Sequence, residues 1–195
     1  MNLDHSPSLI SSCAFTGHRP HKFPWRYDEA DAGCVELKAL LSELVKKLAD
    51  AGIIDFFSGM ADGTDVWLAQ AVLSHRKENP ALKLHCILPC EGQELKWAAP
   101  ARERYHSILD QADSILYVSH AYYDGCMLAR NRRLVDLADI LLAVYNGERR
   151  GGTAATVRYA QKAGRGIILL HPVSRHISIQ GTIPNISDWQ TAGGL

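Results

Sequence analysis

The chain has 195 residues, of which 47% are hydrophobic, and its 21 Lys and Arg residues balance its 21 Asp and Glu residues. A chain of this length can bury a core of its own without a metal or disulfide, and a net charge of zero makes nucleic acid an unlikely partner. No apolar run reaches the roughly 18 residues that a membrane span needs, and the polar start does not resemble a signal peptide. We therefore expect a cytoplasmic protein without membrane association.

Short apolar runs alternate with longer amphipathic stretches, which predicts an α/β fold that is Rossmann-like and doubly wound. Runs such as ILLAVY and GIILLH are continuously apolar, as expected for a mainly parallel sheet with helices on both faces. We predict about six strands, at residues 12–16, 55–58, 82–88, 114–119, 140–145 and 166–171. We predict helices at residues 28–51, 64–76, 93–111, 125–138 and 153–163.

No repeat, low-complexity tract or flexible linker divides the chain, so we assign residues 1–172 to one Rossmann-like domain. Residues 173–195 are more polar and are predicted to form an irregular C-terminal tail. This tail either packs on a neighbouring subunit of a homo-oligomer or is loosely held. The five cysteines include no CxxC pair and lie mostly in apolar stretches, which indicates reduced, buried thiols and no metal site.

Ligands of open α/β sheets bind beyond the carboxyl ends of the strands, near the point where the strand order reverses. With the common order 3-2-1-4-5, the loops after strands one, two, four and five would face one crevice. Three of the loops that follow predicted strands carry residues suited to a phosphate-bearing ligand.

The first loop, within FTGHRPHKFPWRYDE, is long and rich in hydrogen-bond donors, and it is not a GxGxxG turn. Gly17, His18 and Arg19 lie at the end of the strand, and we predict that they bind the ligand. Arg19 can hold a phosphate or carboxylate through two N–H groups. Lys22 and Arg26 fit a solvated basic loop equally well.

The second loop, within FFSGMADGTDVW, contributes Ser58, Gly59 and Thr64 as predicted ligand-binding residues. Its glycines allow close backbone approach, and Thr64 is placed to cap a helix whose N-terminus offers N–H groups to an anion. A glycine turn with an ordinary helix cap is the alternative. Asp62 and Asp65 would repel a bare phosphate, but they suit ribose hydroxyls or a hydrated magnesium ion.

The third loop, within AVYNGERRGGTAATVRYA, is predicted to be the best phosphate site, because Gly151, Gly152 and Thr153 open a helix. Consecutive N–H groups and the helix dipole attract an anion there, with Arg149 and Arg150 alongside. A glycine-bearing helix connection without a ligand is the alternative.

Two asparagines complete the predicted ligand-binding set. Asn146 lies at the end of the fifth strand, and Asn131 lies near the start of the helix ARNRRLVDLAD. We expect Asn131 to turn inward, whereas charged neighbours such as Arg130 and Arg133 are interpreted as members of surface pairs.

The segments FTGHRP, SGMADGTD, ARNRRLVDLADILLAVYNG and GGTAATVRYA occur in this order, and in them the sequence resembles the YpsA-like branch of the SLOG superfamily. The resemblance extends from about Phe15 to His171. That superfamily includes the DprA (Smf) DNA-processing proteins and the LOG-type phosphoribohydrolases. The resemblance implies a Rossmann-like pocket for a nucleotide or a nucleotide derivative.

The chain departs from the LOG-type enzymes at their PGGxGTxxE motif. The corresponding stretch, Arg150 to Arg158, lacks the proline, the later glycine and the glutamate, and Arg158 stands where the glutamate is expected. The resemblance therefore does not imply catalysis. Asp62, Asp65 and Glu148 are the remaining candidates for acid–base or metal-binding roles.

These observations favour a sensor or regulatory domain that binds a nucleotide-like phosphate ligand, with or without magnesium, and acts on an unidentified protein partner. The alternative is a hydrolase of a nucleotide or a nucleoside-monophosphate derivative. Binding of single-stranded DNA, in the manner of the DprA relatives, is a third interpretation, which the zero net charge disfavours.

Overall fold

The computed structural model describes residues 10–183, which form one seven-stranded sheet between two layers of helices. The strands are β1 (Ser12–Gly17), β2 (Asp55–Ser58), β3 (Lys83–Leu88), β4 (Ser114–Tyr117), β5 (Ile140–Val144), β6 (Gly166–Leu170) and β7 (Ile177–Gln180). The helices are α1 (Ala32–Asp50), α2 (Thr64–His75), α3 (Ala99–Leu109), α4 (Cys126–Leu137) and α5 (Gly152–Lys162). The predicted α/β class, with a mainly parallel sheet and helices on both faces, is confirmed.

The strand order is β4-β3-β2-β1-β5-β6-β7, and only β7 runs antiparallel to its neighbour. The chain builds the sheet outward from β1 to β4 and then crosses over to β5, which pairs with the other side of β1. The order therefore reverses between β1 and β5, and the expected order 3-2-1-4-5 is wrong. The burial of the two strands explains the difference. All residues of β5 are buried, as suits a central strand, whereas those of β4 are exposed, as suits an edge.

The core consists of two clusters, one on each face of the sheet. Alternating side chains of β1 serve both clusters, because Phe15 packs on the face covered by α1, α2 and α3, and Ala14 on the face covered by α4 and α5. Phe15 also stacks on Phe56 of β2, with 5.7 Å between the ring centroids. Packed side chains therefore cover both faces of the sheet, so a ligand-binding site is expected at the ends of the strands.

Two helices begin four or more residues later than predicted, for identifiable reasons. The side chain of Asp31 accepts a hydrogen bond of 2.8 Å from the Gly33 N–H, so α1 begins at Ala32 and not at residue 28. Pro100 lies in the first turn of α3, where a proline favours a helix start, and residues before Ala99 form turns.

The predicted irregular tail needs one correction, because β7 belongs to the sheet. Its residues pair with β6, and Ile179 lies opposite Ile168. Ile177 and Ile179 alternate with polar residues, the pattern of a half-buried strand, but four residues were too short a run to predict it. Residues 184–195 of the predicted tail lie outside the described residues.

The described part of the chain contains no helix that is both long and apolar enough to cross a membrane. The five cysteines are buried and free. Within residues 10–183, no cluster of three or more His, Cys, Asp or Glu side chains could hold a metal ion.

Candidate functional site

A cavity of about 340 Å³ lies at the carboxyl edge of the sheet, where β1 and β5 meet. The loops after β1, β2 and β5 and the first turns of α4 form its walls. The lining residues are Thr16, Gly17, His18, Arg19, His21, Lys22, Ala61, Asp65, Met127, Arg130, Asn131, Arg150, Gly151, Gly152 and Thr153. The three loops singled out from the sequence therefore converge on one cavity, although the strand order differs from the expected one.

The predicted ligand-binding residues divide into two groups. Those that line the cavity are Gly17, His18, Arg19, Asn131, Gly151, Gly152 and Thr153. Those that lie outside the lining are Ser58, Gly59, Thr64 and Asn146. The second group supports the cavity from behind, through contacts with residues that line it.

Two threonines tie the three loops together. Thr64 does not cap α2 but donates its hydroxyl hydrogen to the His18 carbonyl at 3.0 Å, and a Cβ atom on Gly17 would lie 2.5 Å from its Cγ2. Thr153 donates its hydroxyl hydrogen to the Gly17 carbonyl, also at 3.0 Å. Both hydroxyl hydrogens are donated to backbone carbonyls of the protein. A ligand beside Thr153 would therefore contact backbone N–H groups and a hydroxyl oxygen that can accept but not donate.

His18 is 3% exposed and lies between the rings of Phe23 and Tyr145. Its Nε2 accepts a hydrogen bond of 3.3 Å from the backbone N–H of Asn146, which connects the β1 loop to the end of β5. Burial lowers the pKa of His18, so the imidazole is neutral near pH 7. Because Nε2 accepts a hydrogen bond, the proton of the neutral ring is on Nδ1.

One wall of the cavity is suited to an anion. Helix α5 begins there at Gly152, and its first N–H groups have no partners within the helix. Lys22 lies close to this terminus, with its Nζ 3.7 Å from the position of a Cβ atom on Gly151. The exposed side chains of Arg19 and Arg150 complete what we call the anion-binding wall.

Arg130 is the main functional candidate that the sequence analysis missed. It is 4% exposed, lines the cavity, and donates through Nη1 to the Gly59 carbonyl. A Cβ atom on Gly59 would lie 1.6 Å from that nitrogen, so the glycine is needed to admit a side chain and does not contact the cavity. The interpretation of Arg130 as a surface residue was wrong. A helical signal was available, since buried Cys126 and Leu134 lie four residues to either side.

The three carboxylates considered for catalysis occupy different surroundings. Asp65 is 5% exposed and lines the cavity, whereas Asp62 lies in a second cavity of about 350 Å³ beside Glu29 and Arg104. Glu148 lies at the exposed rim, where it pairs with Lys22 and accepts a hydrogen bond of 3.0 Å from Asn146 Nδ2. These two hydrogen bonds lower the pKa of Glu148.

Asp65 and Arg130 form a weak pair on the floor of the cavity, with 3.6 Å between Oδ2 and Nη1. Burial raises the pKa of the Asp65 carboxyl, and the positive charge of Arg130 opposes this effect. Ser58 fixes the surrounding loop by donating to the Asp65 carbonyl at 3.0 Å and accepting from the Met60 N–H at 3.1 Å.

Asn131 of α4 and Arg158 of α5 were also singled out from the sequence, and they differ in where their side chains lie. Asn131 turns inward, and its Nδ2 donates to Thr156 Oγ1 at 2.8 Å, which ties α4 to α5. Arg158 is exposed and donates to the Arg149 carbonyl at 2.8 Å. Arg158, which stands where the LOG-type motif has its glutamate, is not part of the cavity lining.

Comparison with known proteins identifies a family model, curated relatives and a solved structure that are similar to this chain. The model described as the YspA SLOG family matches residues 13–167, a range that includes the whole cavity lining. A UPF0398 protein of Bacillus velezensis is 28% identical over 151 residues, which cover 76% of this chain and 82% of the relative. A UPF0398 protein of Bacillus cereus is 32% identical over 154 residues, which cover 77% and 83%. The X-ray structure of TM1055, a structural genomics target, aligns with a TM-score of 0.53 at 20% identity over 84% of this chain and 76% of that one, a likeness of fold alone.

Proposed function

Because this chain belongs to the YspA SLOG family, we propose that its cavity binds a nucleotide or a nucleotide-derived phosphate and that the chain acts as a sensor or regulatory binding protein. The observation that carries this proposal is the convergence of a helix N-terminus and several cationic side chains on one cavity. The cytoplasmic location, a homo-oligomer and a protein partner stay predictions.

The local charge supports a phosphate ligand. Arg19, Lys22, Arg130 and Arg150 line the cavity, and among the described lining residues Asp65 supplies the one carboxylate. At the rim, the carboxylate of Glu148 neutralises the charge of Lys22. Four positive charges and two negative charges leave an excess of two positive charges. A phosphomonoester carries about two negative charges at pH 7, so its charge matches this excess.

The size of the cavity supports one nucleotide unit. Small-molecule sites range from about 300 to 1,000 Å³, and a volume of about 340 Å³ lies at the lower end of that range. A magnesium ion would gain one carboxylate, that of Asp65, from the lining and would take its other oxygen ligands from the phosphate and water.

A hydrolase is the second candidate, and the position of Asp65 in the cavity is the observation that favours it. Asp62 and Glu148 lie elsewhere, so an acid–base pair of carboxylates is not present among the described lining residues. Two carboxylates flank the bond in most glycoside-cleaving enzymes. A binding role therefore has the stronger support.

Isothermal titration calorimetry with nucleoside monophosphates, nucleoside diphosphates and inorganic phosphate, with and without magnesium, tests the proposal. We expect nucleotide binding that weakens about tenfold or more when Arg19 and Arg150 are both changed to alanine. Arg133→Ala is the matched control, because Arg133 is an exposed residue of α4 outside the lining. Failure of every nucleotide to bind the wild-type protein would contradict the proposal.

The same mixtures distinguish a sensor from a hydrolase. Chromatography of the incubated nucleotides is expected to show unchanged ligand. Product that forms with the wild-type protein and disappears with Asp65→Asn would identify a hydrolase. Retardation of single-stranded DNA that weakens with salt would instead support the DNA-binding interpretation.

A further inference from the structure

The floor of the cavity presents a hydrogen-bond donor that has no acceptor among residues 10–183. Nη1 of the Arg130 guanidinium is held by the Gly59 carbonyl, whereas the described residues give Nη2 no hydrogen bond. The small exposed part of the Arg130 side chain belongs to the cavity lining, whereas its Nε has no exposed surface. Arg130 is therefore positioned to donate to a ligand.

A hydrogen-bond acceptor lies beside this donor. The side-chain contacts of Asp65 involve Oδ2, which is 3.3 Å from the Ala61 N–H and 3.6 Å from Arg130 Nη1. The described residues give Oδ1 no hydrogen bond. The exposed part of the Asp65 side chain belongs to the cavity, so this oxygen can accept from a ligand.

A hydroxyl group both donates and accepts, so it satisfies this pair better than a phosphate, which Asp65 would repel, or an apolar group. We infer that Asp65 and Arg130 bind a sugar diol of the ligand, so that the cavity selects ribosyl over 2′-deoxyribosyl phosphates. One hydroxyl donates to Asp65 Oδ1, and its neighbour accepts from Arg130 Nη2. This inference rests on the proposed function, because the anion-binding wall holds the phosphate at the other end of the ligand.

The neighbouring contacts hold the two ends of such a ligand at a fixed separation. Asn131, next to Arg130 in sequence, is bonded to Thr156 of α5, whose Oγ1 donates to the Gly152 carbonyl at 2.9 Å. The floor is thus joined to the anion-binding wall through side chains of two adjacent helices. A rigid connection of this kind favours recognition of both groups at once.

Calorimetric titration of the wild-type protein with matched pairs tests the inference. The pairs are the four ribonucleoside 5′-monophosphates against their 2′-deoxy counterparts, and ribose 5-phosphate against 2-deoxyribose 5-phosphate. We expect each ribosyl member to bind about 10- to 100-fold more tightly than its partner, the range of a hydrogen bond to a charged group. This comparison requires no variant and is independent of any folding defect.

Asp65→Asn is expected to reduce the ribosyl preference at least about fivefold, because the hydrogen bond loses its ionic partner. The matched control is Asp62→Asn, which faces the second cavity and is expected to keep the full preference. Equal binding of both members of every pair, within about twofold, would overturn the inference and leave the proposed function intact. A preference that follows the base and ignores the sugar would also overturn it. If neither member of any pair binds, the proposed function fails together with this inference.

Discussion

Individual glycines determine where polar side chains enter the interior of this protein. Gly17 accommodates Thr64, and Gly59 accommodates the guanidinium of Arg130. In the sequence both glycines mark a close approach, but they do not indicate whether the approaching group is a ligand or another side chain. At these two positions it is a side chain, and that side chain shapes the cavity.

Gly59→Ala is expected to displace Arg130, since the new Cβ atom would lie 1.6 Å from its Nη1. Overpacking of this kind costs about 1–3 kcal/mol in the free energy of unfolding, measured by urea denaturation. The same variant is expected to weaken nucleotide binding. In Gly152→Ala the new Cβ atom would meet only Asn131 Nδ2, at 3.8 Å, so stability within about 0.5 kcal/mol of the wild type is expected of this control. Equal stability of both variants would contradict the assigned role of Gly59.

His18 is expected to make stability dependent on pH. Burial lowers its folded-state pKa below the usual 6.5, so the unfolded chain binds the proton more readily. The stabilisation is complete above pH 6.5 and is lost as the pH falls from there toward the folded-state pKa. Urea denaturation between pH 5 and pH 8 is expected to show a smaller loss on acidification for His18→Gln than for the wild type. Identical pH profiles would exclude this role.

At the scale of elements, the two strands where the order reverses are clamped at their amino ends. Asp139 precedes β5, and its Oδ2 accepts hydrogen bonds from the Ser11 and Ser12 N–H groups at 3.1 and 3.2 Å and from Ser12 Oγ at 2.6 Å. The clamp lies at the end of β1 and β5 opposite the cavity. We therefore expect changes in this clamp to leave the proposed ligand binding unaffected.

Asp139→Ala is expected to lower the free energy of unfolding by about 1–3 kcal/mol, because it leaves two partly buried N–H groups and the Ser12 hydroxyl without their acceptor. Calorimetry on the folded variant should give an unchanged nucleotide dissociation constant. Asp136→Ala removes only an exposed hydrogen bond to the Tyr159 hydroxyl and is expected to cost less than about 0.5 kcal/mol. A large loss of affinity in Asp139→Ala would show that the clamp and the cavity are coupled.

The positions of the strands and helices along the chain were easier to predict from the sequence than the question of which strands lie next to each other in the sheet. Strands such as β5 are continuous apolar runs and could be located directly, but the choice of β5 over β4 as the partner of β1 depends on how both faces of the sheet are packed. In the site, the start of α5 was predictable from GGT, because a helix terminus is a local feature. The position of Arg130 in the cavity depends on the contact of α4 with Gly59, which lies 71 residues away along the chain.

At the scale of the whole molecule, four basic side chains line one cavity at the edge of the sheet in a chain whose net charge is zero. Salt is therefore expected to weaken binding of a nucleoside monophosphate severalfold between 50 mM and 500 mM NaCl, since the exposed Arg19 and Arg150 are screened. The dissociation constant from calorimetry is the measurement, and the uncharged nucleoside is the control, for which salt should have little effect. Equal salt dependence of nucleotide and nucleoside would contradict a charge-based mechanism.

The ion pair between Lys22 and Glu148 joins the β1 loop to the loop after β5 at the rim of the cavity. Through it the protein supplies its own counter-ion, so we expect a phosphate that binds at Lys22 to compete with a carboxylate that is already in place. Binding is then an exchange of one anion for another, and the measured affinity reports the difference between the two. The ion pair orients the lysine before a ligand binds, and the carboxylate is available to pair with it again after the ligand dissociates.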